Sequence, residues 1–283
     1  MRKHVALAAL ACTFIAQTAD AQEVLSLKHA AKGVETIQAA VGNQVGNYLF
    51  DSGIGVTGIT PQVATALGCK PWGKITGFRA IGERLDIPRC NGYKLALSDY
   101  KTYLPQVAVF DLAKFMGPAS KGLSGIVGLD AFRGEVVTLN IAQHQVVVED
   151  AASFDSIRKS EVEVPIRLVR AAEGAALTVD VGIRTASGTA WMELDTGNYG
   201  PAMIDKTIAP LLGLDPNNPH PQDFKAAVVD SLGVEGKAVV KDLIMDGNFG
   251  RGILRDWEIT LDLQHERAWV RDLKLGESGR VAD

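Results

Sequence analysis

Two short acidic triplets, Asp51-Ser52-Gly53 and Asp195-Thr196-Gly197, are the residues of this chain best suited to chemistry. Each follows an apolar run, Tyr48-Leu49-Phe50 in one case and Trp191-Met192-Glu193-Leu194 in the other, and each precedes a short segment ending in Leu-Gly. A single triplet of this kind is an ordinary turn signal, because turns favour all three residue types. Two copies at the same point of a repeated unit would bring two carboxylates together. Such a pair cannot readily ionise twice, so it shares one proton and titrates as a unit. The ionised member can take a proton from a bound water while the protonated member donates one to a carbonyl oxygen. Gly53 and Gly197 let the backbone come close to the carboxylates. The Ser52 and Thr196 hydroxyls can hydrogen-bond across the junction and hold both loops rigid. This chemistry calls for no metal and no cofactor.

The elements that must position these triplets are written twice. Residues 125–150 align without gaps onto 247–272 at an offset of 122, with seven of 26 positions identical, including both flanking glycines, Arg133/Arg255 and Thr138-Leu139/Thr260-Leu261. Val136–Leu139 and Gln145–Val148 predict two strands around a polar turn, and Glu258–Leu261 and Arg267–Val270 repeat them. Upstream of each triplet, Val34–Val41 with Tyr48–Phe50, and Ala176–Ile183 with Thr189–Leu194, predict hairpins. Downstream, Thr60 predicts a helix cap with Pro61 at the first position and Gly68 at the end, and Asp205 takes the cap position in the second copy. The polar segment from Asp150 to Glu161 marks the boundary between copies. Trp72, Trp191, Trp257 and Trp269 lie in apolar runs and are expected in the core.

Composition narrows the partners. Arg2 and Lys3, the apolar stretch Val5–Ile15 and Ala19-Asp20-Ala21 read as a cleavable secretory signal peptide over residues 1–21. The 262 residues that remain carry a net charge of about −5, and their basic residues do not cluster, which argues against nucleic acid. No later run is long enough to span a membrane. Cys69 and Cys90 could form one disulfide in an oxidising compartment, or remain a pair of buried thiols. The histidines His29, His144, His220 and His265 show no metal-ligand spacing and are expected to face solvent. Ser52 lies in no nucleophile elbow.

The order apolar strand, Asp-[Ser/Thr]-Gly, short helix, hairpin, apolar-apolar-Gly and two closing strands resembles the retropepsin-like aspartic proteases, and its duplication resembles the pepsin-like bilobal form. The resemblance covers roughly residues 30 to 275 and rests on Phe50-Asp51-Ser52-Gly53 and Gly125-Ile126-Val127-Gly128. It implies a mainly β, two-lobed acid-protease fold with pseudo-two-fold-related, β-barrel-like lobes at 22–155 and 156–283. It also implies an exported bacterial aspartic endopeptidase, secreted or periplasmic and monomeric as an intramolecular pseudo-dimer, acting on a peptide or protein substrate. Asp51 and Asp195 become the catalytic dyad. A flap is expected at Gly77–Arg84, with Phe78 facing substrate, and a shorter one around Gly233. The second copy departs from the pattern at Asn198 and Asn248. Those departures motivate the alternative of a catalytically weak or inactive retropepsin-like peptide-binding protein of the cell envelope.

Overall fold

The computed structural model describes residues 21–29 and 34–274. The signal-peptide segment therefore lies almost wholly outside the described residues. Those residues form a mainly β protein of three sheets with eight, seven and six strands. The first copy of the repeat builds the eight-stranded sheet and the second builds the seven-stranded one.

The two larger sheets carry the same pattern at their centres. Gln44–Phe50 pairs parallel with Leu123–Val127, which runs antiparallel to Gly58–Ile59, itself parallel to Tyr100–Val109. Gly188–Leu194 pairs parallel with Gly247–Phe249, which runs antiparallel to Ala202–Asp205, itself parallel to Leu232–Lys241. Parallel central strands are covered on both faces. Accordingly Tyr48, Leu49 and Phe50 are consecutive buried residues rather than an alternating row.

The six-stranded sheet joins the copies. Val136–Asn140 lies antiparallel to Trp257–Asp262, so that Thr138 faces Thr260, its own counterpart in the repeat. Their hydroxyl oxygens are 2.7 Å apart in a buried hydrogen bond. The N-terminal strand Glu23–Ser26 pairs with Gln145–Val148 at one edge, and Val162–Val164 pairs with Arg267–Asp272 at the other. Trp257 and Trp269 fill the core beside this sheet, Trp257 meeting Phe249 edge-on with centroids 6.2 Å apart.

Three local readings are refined or corrected. The polar segment after Asp150 forms a helix, Ala151–Ser160, whose cap Asp150 accepts a hydrogen bond from the Ser153 amide at 2.7 Å. Ala151, Ala152, Arg158 and Lys159 are good helix formers, and Phe154 anchors the helix edge-on against Trp269. Thr60 caps the helix Pro61–Ala66, but Asp205 caps no α-helix. Its carboxylate instead accepts from the Thr207 and Leu243 amides, fastening a turn ahead of the 3₁₀ segment Ala209–Leu212. Trp72 is about half exposed, under the Arg89 guanidinium at 4.4 Å, because its hairpin projects beyond the core.

Cys69 and Cys90 form a disulfide with Cα atoms 6.1 Å apart, tying the helix to the hairpin. That bond is compatible with a secreted protein. No helix among the described residues is long and apolar enough to cross a membrane. The loop that the disulfide closes spans 21 residues, for which loss of denatured-chain entropy predicts a contribution of about 3 kcal/mol. Urea unfolding of the Cys69→Ala/Cys90→Ala variant should show a loss of that order with a near-native fold.

Candidate functional site

The two aspartates stand at equivalent strand ends. The Asp51 amide donates to Val127 O at 3.0 Å and the Asp195 amide to Phe249 O at 3.0 Å, so each loop hangs on the apolar-apolar-Gly strand of its own copy. Beyond these points the loops interlock. Ser52 N donates to Thr196 Oγ1 at 2.9 Å, Thr196 N donates to Ser52 Oγ at 2.9 Å, and Ser52 Oγ donates to Leu194 O at 2.6 Å. Both hydroxyl residues are fully buried, so these bonds have no water to compete with them.

The interlock leaves no room for side chains at the two glycines. A Cβ on Gly53 would lie 2.7 Å from Asp195 Cγ, and one on Gly197 would lie 2.4 Å from Asp51 Oδ2. Each aspartate therefore packs on the backbone of the opposite loop. Asp51 Oδ1 accepts from Gly53 N at 2.8 Å, and Asp195 Oδ1 accepts from the Gly197 and Asn198 amides at 2.8 and 3.1 Å. Burial, followed by the neighbouring Asp195 charge, pushes the Asp51 carboxyl well above the usual carboxylate range.

Glu193, to which the sequence assigned no role, and the departures Asn198 and Asn248 complete the site. Asn248 Nδ2 donates to Asp195 Oδ2 at 2.7 Å and to Glu193 Oε2 at 3.1 Å, and Asn198 Nδ2 holds Asn248 Oδ1 at 2.8 Å. The two departures from the repeat are thus partners in one network. Burial, then Asp195, then Asp180 raise the Glu193 carboxyl to about 8. Leu49 occupies the place of Glu193 in the first copy, and Ile126 occupies that of Asn248. An acid one position from apolar Met192 and Leu194 in a strand, and an Asn in an apolar slot, were the available signals.

The carboxyls open into a cavity of about 460 Å³ between the two larger sheets. Ile54, Val56, Ile75, Leu85, Ile87, Phe110, Leu112, Met203 and Met245 make its walls largely apolar. Gly77 and Phe78 line it from the strand Trp72–Phe78, whose hairpin partner is Arg84–Leu97. The tip of that hairpin is tied across the opening, Ile244 N donating to Ala80 O at 2.9 Å. Gly233 is not brought to the aspartates. It lies in the strand Leu232–Lys241 and lines a separate groove with Lys225 and Trp257, because that strand is the counterpart of Tyr100–Val109 and not of the hairpin over the aspartates. Asp130 sits away from the pair, accepting from the Thr57 amide and hydroxyl.

Three solved structures are among those with a similar architecture. The basic 7S globulin from soybean matches with a TM-score of 0.55 and 8% identity, over 90% of this chain and 96% of that one. Conglutin gamma, a basic 7S globulin from lupine seeds, matches with 0.53 and 10%, over 90% and 96%. The protein edgp matches with 0.57 and 9%, over 91% and 96%. No family model matches the chain, and no curated protein does. At these identities the likeness is one of fold.

These findings correct the functional expectation. The resemblance to retropepsin-like and pepsin-like aspartic proteases, the endopeptidase activity it implied and the inactive envelope peptide-binding alternative are all set aside: the similar structures reported are two basic 7S globulins and edgp, not aspartic proteases. The residue pattern misled because paired Asp-[Ser/Thr]-Gly loops are a solution to joining two sheet systems, and one fold carries unrelated functions. Two features of the site differ from the expected one. A third carboxyl stands beside the pair, and the expected flap is bonded at its tip to Ile244.

Two outcomes test the site's construction. Thr196→Val removes the acceptor of the buried Ser52 amide and should cost roughly 1–3 kcal/mol in urea unfolding. Glu193, with an ordinary value of 4.5 raised to about 8 in the native protein, binds more protons folded than unfolded between those limits. Its contribution to stability is therefore present at low pH and is lost as pH rises through that window, with a slope of at most about 1.4 kcal/mol per pH unit. Glu193→Gln should flatten the stability–pH profile between pH 5 and 8 by that component.

Proposed function

We propose that the inter-sheet cavity is a binding pocket for a compact, mainly apolar small molecule bearing one basic nitrogen. The observation that carries this reading is the contrast inside the cavity: largely apolar walls, with Thr76, Arg79 and Tyr199 also in the lining, surround the acidic cluster of Asp51, Asp195 and Glu193 with Asn248. Burial raises the Asp51 carboxyl well above the usual range and Glu193 to about 8, so ionising this cluster leaves a buried negative charge. A buried charge of that kind is stabilised by a matching cation far more than by a neutral group. The volume suits a ligand of ordinary metabolite or drug size, and the tied hairpin favours a compact ligand over an extended one.

The architecture that frames this pocket reads as two pseudo-two-fold-related lobes in the acid-protease layout, with limits at 22–155 and 156–283. The Thr138–Thr260 contact between repeat counterparts supports that symmetry. One chain supplies both halves of the site, which supports action as a monomer. The leader reading of residues 1–21 makes the protein periplasmic or secreted, and the Cys69–Cys90 disulfide supports export.

Calorimetry with phenylbutylamine, phenylbutanol and phenylbutyrate checks the charge preference. The amine should bind most tightly and the carboxylate least, and Asp195→Asn should weaken the amine by about tenfold, or ~1.4 kcal/mol. Equal affinity for all three compounds, or no binding by any, would sink the proposal.

A further inference from the structure

A second cluster of chemistry-bearing side chains lies outside the cavity. His29, Glu35 and His144 come from three separate segments: the strand Lys28–His29, the strand Glu35–Val41, and the turn between Val136–Asn140 and Gln145–Val148. The sequence reading placed both histidines in solvent with no metal role, because their spacing along the chain is 115 residues. The antiparallel pairing of His29 with Glu35 and the Leu27 amide bond to His144 O at 2.7 Å bring all three together.

Both imidazoles turn Nδ1 toward the same carboxylate. His144 Nδ1 is 2.8 Å and His29 Nδ1 is 3.5 Å from Glu35 Oε1. The candidate ligand atoms of the trio all lie within 4.8 Å of one another. Ligands at zinc distances of 2.0–2.2 Å in a tetrahedron stand about 3.3 Å apart, and the observed separations bracket that spacing. Glu35 itself is fully buried, Arg251 reaches its Oε1 from the second copy, and its Oε2 is buried without a hydrogen-bond partner. A buried carboxylate oxygen in that condition is costly unless something binds it. The two histidines are exposed on the other side, so the site is open to an ion from solvent.

We infer that His29, His144 and Glu35 form a site for a divalent transition-metal ion of the zinc type, with two imidazole nitrogens and one carboxylate as protein ligands. Two nitrogens and one oxygen select such an ion over magnesium or calcium, which prefer all-oxygen shells. The ion clips the N-terminal segment, the first large sheet and the six-stranded sheet together. Its role is structural stapling, since unfolding would separate the three ligands.

The test titrates zinc chloride into the untagged, chelator-treated chain and follows heat and melting temperature. One-to-one binding with a raised melting temperature is expected, together with visible absorption of the four-coordinate type when Co²⁺ replaces zinc. His144→Ala and His29→Ala, both at exposed positions that leave the core intact, should each weaken binding by at least about tenfold. His220→Ala and His265→Ala should leave it unchanged. The inference is overturned if the wild-type chain does not bind zinc, if both site variants bind it as well as wild type, or if magnesium raises the melting temperature equally.

Discussion

The reciprocal hydrogen bonds between Ser52 and Thr196 are the constraint on which the rest of the structure depends. Each loop leaves its sheet with unpaired backbone groups at the centre of the molecule, where no solvent reaches. Each satisfies them with the hydroxyl and amide of the other, so neither loop has a stable conformation by itself. The same contact decides where the aspartates sit. It also explains the glycines, since the approach that allows the bonds brings each carboxyl against the opposite backbone.

The two copies have diverged around this fixed centre. On one side Leu49 and Ile126 keep the cavity wall apolar, and on the other Glu193 and Asn248 make it polar. That divergence is coordinated rather than random. Asn198 holds Asn248, and Asn248 bridges Glu193 and Asp195, so none of the introduced amides is left unsatisfied toward the site. A symmetric frame has thus acquired a one-sided polar spot, which is what orientation of a single asymmetric ligand requires.

Architecture and activity separate clearly in this chain. A repeated strand–turn pattern specifies two sheet systems and a shared third sheet, and that frame is compatible with several uses. What the frame does depends on groups that the repeat does not predict: the third carboxyl, the hairpin tip bonded to Ile244, and the histidines gathered at Glu35.

The sequence by itself determined the duplication, the mainly β class, the hairpins ahead of each triplet and the meeting of Asp51 with Asp195. These follow from local patterning and from symmetry, because equivalent positions of two like units are related by one rotation. Tertiary structure alone decided the rest. Helix Ala151–Ser160 formed within the polar boundary segment, where Phe154 packs against Trp269. Glu193 gained its raised pKa from burial beside charges whose distance no spacing encodes. His29 and His144, 115 residues apart, reached Glu35 only through strand register and one turn contact. Gly233, expected over the aspartates, lies on another face because its strand is the counterpart of Tyr100–Val109 and not of the hairpin over the site. Local pattern fixes what a segment prefers, and long-range packing fixes which groups share a dielectric and a distance; the chemistry of a site depends on the second.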